Sequence, residues 1–155
     1  MRFRLKQNTN ADAYAYIRGH SGYQELNGTV TFRQTDNGVL VTARIFGLPD
    51  QQACSSGVFG FHIHEGVECT GNTSEPFADS RGHYNPKGCP HPYHDGDLPP
   101  LFSNNGYAYM SVLTDRFSVS DIIGRVVVIH DKPDDFTSQP SGNSGNKIAC
   151  GRIVR

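Results

Sequence analysis

Between residues 39 and 46 the chain alternates Val39, Val41, Ala43 and Ile45 with Leu40, Thr42, Arg44 and Phe46, the period of two expected of a strand buried mainly on one face. Residues 11–18 and 27–34 read as strands too, and Asp36-Asn37-Gly38 supplies a hairpin turn before 38–46. The pattern predicts a meander of three strands. A fourth strand is expected at 58–65, others at 107–113 and at the β-branched run 126–130, and a last one at 148–154. Two long stretches between them have no period. Residues 66–100 are rich in Gly, Pro, His and Asp, and 131–146 form a second loop. Structureless loops beyond about 15 residues are uncommon in compact domains, so 66–100 needs an organiser other than backbone pairing. A bound metal would serve.

Composition sharpens this picture. The 155 residues include 17 Gly and 9 Pro, which suits short strands and frequent turns, and the length predicts a single all-β domain over 1–155 with its own core. Fourteen basic residues against 15 acidic ones give no reason to expect nucleic acid or an anionic membrane as partner. No stretch approaches the roughly 18 apolar residues of a membrane span, and the basic residues Arg2, Arg4 and Lys6 precede no apolar run. The expected location is cytoplasmic, with export as the alternative if a leader is absent from this chain. Cys54, Cys69, Cys89 and Cys150 show no C-x-x-C spacing, which argues against a zinc ribbon or a thioredoxin-like site and leaves disulfides open.

The histidines carry the chemistry. Of seven, only His20 lies outside residues 62–94 and 126–130; among Gly19, Ser21 and Gly22 it reads as a solvated loop residue. In Gly60-Phe61-His62-Ile63-His64-Glu65 the two imidazoles share one strand face, while Phe61 and Ile63 share the other and would enter the core. His62 and His64 can therefore grip one ion from beneath the loops. His83, His91, His94 and Asp97 add three imidazoles and a carboxylate within fifteen residues, a donor set that suits a closed tetrahedral zinc site. His130 ends the run Val126-Val127-Val128-Ile129 on the face of Val126 and Val128, where a core histidine or a ligand is expected. A polar face and a solvated loop would explain each group alone, but not their concentration.

Gly60 to Glu65, Gly82-His83-Tyr84-Asn85-Pro86, Gly96-Asp97-Leu98, residues 122–130 and Ala149-Cys150-Gly151 occur in an order and spacing that resemble the signatures of copper/zinc superoxide dismutases. The resemblance spans about residues 11–154. It implies an eight-stranded Greek-key β-barrel, an immunoglobulin-like sandwich with two long functional loops. The implied activity is dismutation of superoxide to dioxygen and hydrogen peroxide by copper redox cycling beside a structural zinc. By the same resemblance His62, His64, His83 and His130 are the copper ligands and His83, His91, His94 and Asp97 the zinc ligands. His83 then bridges the metals and stores a proton, Asp134 links His62 to His91, and Cys69 pairs with Cys150.

The departures from the family pattern are equally specific. Lys147 stands two residues before Ala149-Cys150-Gly151, where family members usually carry arginine; it keeps the charge that guides the anion but gives up the planar fork. Residues 136–140 carry no charge. His91 and His94 are closer together than usual, and a Cys89 thiolate could stand in for one of them. Cys54 and Cys89 are left either for a second disulfide or as two free thiols. Superoxide is the expected substrate, and a homodimer and a copper-delivery protein are the macromolecular partners to look for. The competing reading is a copper/zinc-binding dismutase-like protein without turnover. A zinc hydrolase ranks below both, because four protein donors leave zinc no open position.

Overall fold

Strands β1 (Ala13–Gly19), β2 (Asn27–Thr35) and β3 (Gly38–Phe46) form the expected meander, each antiparallel to the next. The alternation read in β3 is the burial observed, with Val39, Val41, Ala43 and Ile45 all fully inside. The structure, a computed structural model, describes residues 11–49, 53–54 and 57–155. The other strands are β4 (Val58–Phe59), β5 (Phe61–His64), β6 (Leu101–Phe102), β7 (Ala108–Thr114), β8 (Val126–His130) and β9 (Lys147–Val154). Seven strands run in the order β5-β8-β9-β1-β2-β3-β7, and β4 pairs with β6 apart from them. The result is the all-β Greek-key barrel, a curled antiparallel sheet with almost no helix.

The expected single strand over 58–65 is broken at Gly60 by contacts with segments distant in sequence. The Gly60 N–H donates to the Lys132 carbonyl and the Gly60 carbonyl accepts from the His130 N–H, each at 2.8 Å, so this residue is paired with the second long loop and the end of β8. A Cβ here would lie 2.8 Å from Ser144 Oγ. Three further elements are absent from the sequence reading: the two-residue strand β6, a single 3-10 turn at Ala78–Ser80, and a helix α1 (Val119–Ile122) opened by a capping box between Ser118 and Asp121.

Phe32, Ile45, Phe61, Ile63, Leu101, Ile129 and Ile153 belong to the main core inside the barrel. A second, smaller cluster lies on the other face of β8, where Val126, Val128 and Cys150 pack against Phe77 and Cys69 of the first long loop. There the Cys69–Cys150 disulfide joins residues 81 apart and fastens that loop to the barrel. Cys54 and Cys89 are free thiols, so the second disulfide considered from the sequence is not formed. Cys54 is exposed in a turn, whereas the backbone N–H and carbonyl of Cys89 are both taken by the side chain of Asn85. No helix among the described residues is long and apolar enough to cross a membrane.

Candidate metal centre

Pairing of β5 with β8 sets His62 opposite Val128 and His64 opposite Val126, while isolated bridges join His62 to Asp97 and His64 to His83. The loop thus folds back along the open edge of β5. The histidine face, read as pointing away from the core, is enclosed by that loop, and His62, His64, His83, His91, His94 and His130 are all buried. Two groups of potential ligand atoms result, each with its members within 4.8 Å of one another: His62, His64, His83 and His130, and His83, His91, His94 and Asp97. His83 belongs to both.

Neighbours fix which ring nitrogen of most of these residues is free. Asp134 accepts from His62 Nε2 at 2.7 Å and from His91 Nε2 at 2.8 Å, so in both rings the proton is on Nε2 and the lone pair on Nδ1. His64 Nδ1 donates to the Arg81 carbonyl at 2.8 Å, and His130 Nδ1 to the Gly145 carbonyl at 3.4 Å. Their Nε2 atoms then face each other with lone pairs 3.2 Å apart, an arrangement that calls for a cation between them. His83 Nδ1 lies 2.7 Å from Asp97 Oδ1 and 3.3 Å from His94 Nδ1.

Burial favours the neutral form of His62, His64, His94 and His130. It lowers His62 to about 4 against the pull of Asp134, and lowers His130 to about 3 with help from His62. Burial also holds His64 well below the ordinary histidine value, and lowers His94 despite the nearby Asp97 carboxylate. Burial alone would raise Asp134, but hydrogen bonds from His62, His91 and the Phe136 N–H hold it well below the usual carboxylate range. Asp97 is likewise held down against burial by its hydrogen bond from His83 and by the surrounding rings. Neutral imidazole and ionised carboxylate are the forms that bind metal.

Buried His62 Nδ1, His83 Nε2 and His91 Nδ1 have no hydrogen-bond partner. Leaving a buried polar atom unsatisfied costs about 1–3 kcal/mol, so three within one cluster mark positions that ions would complete. The donors fit two ions, one among nitrogens only and one with a carboxylate.

Lys147, at the start of β9, is half-buried; its Nζ donates to the carbonyls of Arg81 at 2.9 Å and Phe77 at 3.3 Å. Burial lowers its pKa, partly offset by Glu75. His20 is more than a solvated loop residue: its ring packs edge-on against Tyr23 at 5.0 Å, lies 5.9 Å from Phe77, and accepts from the Gly22 N–H. Cys89 belongs to neither ligand group. Three contributors were not anticipated. Arg116 donates to loop carbonyls, Gln139 pairs with the backbone of His91, and Gly142, at φ +72°, sits where a Cβ would lie 2.1 Å from Asp134 Oδ1. The first two act on backbone atoms, which leaves no side-chain motif to find.

A profile of the copper/zinc superoxide dismutase family matches residues 26–153. The chain belongs to that family. It is similar to the copper/zinc superoxide dismutase of Legionella pneumophila, 38% identical over 134 residues covering 81% of this chain and 76% of that one. A second relative, superoxide dismutase [Cu-Zn] 2 of Aquifex aeolicus, is 34% identical over 144 residues, covering 83% and 80%. The extracellular superoxide dismutase of Caenorhabditis elegans is 36% identical over 145 residues, covering 83% of this chain and 61% of that one. Among solved structures, the Brucella abortus Cu/Zn superoxide dismutase superposes with a TM-score of 0.74 at 24% identity, covering 91% and 99%, and this likeness supports the barrel fold alone.

Proposed function

We propose that His62, His64, His83 and His130 hold the copper and His83, His91, His94 and Asp97 the zinc of this superoxide dismutase, with Lys147 guiding the anion. The family membership gives the activity, conversion of two superoxide anions and two protons to dioxygen and hydrogen peroxide, and its cofactors, copper and zinc. Copper supplies the one-electron redox couple, and zinc, which is redox-inert, supplies charge and closure of the loop. The observation that carries the ligand assignment is His83: its Nδ1 faces Asp97 and His94, while its buried Nε2 has no hydrogen-bond partner and lies among the rings of the other group. A ring placed between the two sites could hold a proton at Nε2 and give it up to the product.

Each other residue has a definable part. Asp134 keeps the Nδ1 lone pairs of His62 and His91 aimed into the two groups, and the carbonyls of Arg81 and Gly145 do the same for His64 and His130. Lys147 spends donors on two carbonyls yet keeps its charge beside the copper group, which attracts an anion without clamping it. The exposed Phe46, Phe102, Tyr109 and Leu113 support the expected homodimer, to be checked by sedimentation. The Cys69–Cys150 disulfide favours the exported alternative over the cytoplasmic expectation, to be checked by fractionation.

Elemental analysis paired with a superoxide assay on the same reconstituted sample tests the assignment. One copper and one zinc per chain, with turnover abolished in His64→Ala, is the expected result. Copper-loaded protein with no turnover would favour the non-catalytic reading.

A further inference from the structure

We propose that Gln139 and Arg116 are positioning residues for the zinc site, a two-sided clasp that imposes on the short His91-Pro92-Tyr93-His94 loop the geometry its own length does not dictate. The inference rests on the reading that His83, His91, His94 and Asp97 hold zinc. Only two residues separate His91 from His94. The local backbone contacts are a single turn, from the Tyr93 N–H to the Pro90 carbonyl at 2.9 Å, the His94 N–H to Asp97 Oδ2 at 3.0 Å, and the Asp97 N–H to the His94 carbonyl at 3.2 Å. None of these holds the His91 peptide or the Pro92 carbonyl, which are placed from outside.

The placing contacts come from two remote segments. Gln139, in the loop between β8 and β9, accepts from the His91 N–H through Oε1 at 2.9 Å and donates through Nε2 to the His91 carbonyl at 2.8 Å. An amide side chain here pairs with a backbone peptide as a neighbouring strand would. Because Asp134 of the same loop accepts from His91 Nε2, both the backbone and the ring of His91 are gripped from one side. On the other side Arg116, between β7 and α1, donates through Nη1 to the carbonyls of Pro92 and His94, each at 3.0 Å, and lies 3.4 Å from the Asp97 carbonyl. One guanidinium nitrogen thus reaches the backbone at Pro92, His94 and Asp97. All three contacts fall on Nη1, whose two N–H groups serve the Pro92 and His94 carbonyls, and the rigid, always-charged guanidinium fixes that nitrogen more firmly than a flexible lysine stem would fix an ammonium.

The contacts are backbone to side chain and contain no metal ligand atom, so they can form before zinc arrives. The ligands are then presented already near their binding geometry, and affinity lost when the clasp is removed is the cost of ordering the loop on binding.

Chelator competition on metal-free wild-type, Gln139→Leu, Arg116→Met and Arg116→Lys proteins, run separately for zinc and copper, tests the clasp. Cobalt(II) absorption at the zinc site reports ligand geometry, and hydrogen exchange at the His91 N–H reports loop order. Gln139 is largely exposed, so Gln139→Leu leaves the barrel intact. We expect zinc affinity to fall about 10- to 100-fold in Gln139→Leu and Arg116→Met, with a partial recovery in Arg116→Lys. The His91 N–H should exchange faster in Gln139→Leu, and copper affinity should hold. Unchanged zinc affinity and cobalt spectra in both variants of a zinc-binding protein would overturn the clasp, as would equal losses of zinc and copper. A wild-type protein that takes up neither zinc nor cobalt at these residues would instead overturn the ligand assignment, and that outcome is seen before any substitution is made.

Discussion

Replacing Asp134 with asparagine changes one oxygen to an NH2 group, and under the proposed ligand assignment its hydrogen bonds imply which metal suffers more. The carboxylate takes the proton of His62 Nε2 on Oδ2, while Oδ1 takes those of His91 Nε2 and of the Phe136 N–H, the latter at 2.7 Å. An amide can accept on one side only. Two donors meet at Oδ1 and one at Oδ2, so the amide oxygen stays toward His91 and Phe136 and the NH2 faces His62. The His62 ring then has to present a lone pair at Nε2, which moves its proton to Nδ1, the atom it offers to the copper group. That group keeps three nitrogens, whereas the zinc group keeps all four of its donors. Loss of such a supporting contact typically weakens metal binding about 10- to 100-fold, or roughly 1.4–2.7 kcal/mol. Chelator competition for each metal at neutral pH should therefore show copper affinity dropping by that amount and zinc affinity by less. Equal losses, or a larger loss of zinc, would refute the tautomer argument.

The remaining expectations concern charge, acid, the glycine and the disulfide. Lys147→Ala should lower kcat/KM for superoxide by about tenfold and flatten its ionic-strength dependence, while Lys147→Arg should match or exceed the parent, as read by pulse radiolysis over a salt series. In metal-free protein, His62 is lowered from 6.5 to about 4, so between these values the unfolded chain binds a proton that the folded chain refuses. Stability falls as pH drops through that window, by about 3 kcal/mol from this residue, and denaturant titrations with chelator at several pH values should show it. Gly142→Ala sets a Cβ against Asp134 and His91 at a left-handed φ, and should cost at least about 1–2 kcal/mol in metal-free stability with slower zinc uptake. Cys69→Ser with Cys150→Ser should cost about 2–5 kcal/mol in urea unfolding of the metal-free protein.

The meander was legible because β1 and β3 bury alternate residues, and half burial leaves a period of two, whereas the last strand is buried from Ile148 to Gly151 and shows no such period. The strand broken at Gly60 was not legible, because the break is caused by Lys132, His130 and Ser144, distant in sequence. Leu101 and Phe102 of β6 follow Pro99 and Pro100 and pair over only two residues, too few to show a pattern. Within the candidate site, the grouped imidazoles, Asp97 and Asp134 stood out as a concentration of residue types that rarely gather by chance. Arg116, Gln139 and Gly142 did not, because they act through carbonyl oxygens, a peptide edge and the lack of a Cβ. Ser118 and Asp121 did carry a readable capping signal for α1, although the helix is only four residues long.

A lysine side chain is a loose tether, and alone it would let its charge wander over several ångströms. Here the Arg81 carbonyl receives both Lys147 Nζ and His64 Nδ1, one on each lone pair. That single oxygen acts as a ruler: the spacing between the attracting charge and the imidazole behind it is set by the main chain rather than by four methylenes. A shift of residue 81 would move the Lys147 ammonium and the His64 ring together, so their alignment survives motions that would otherwise blur it.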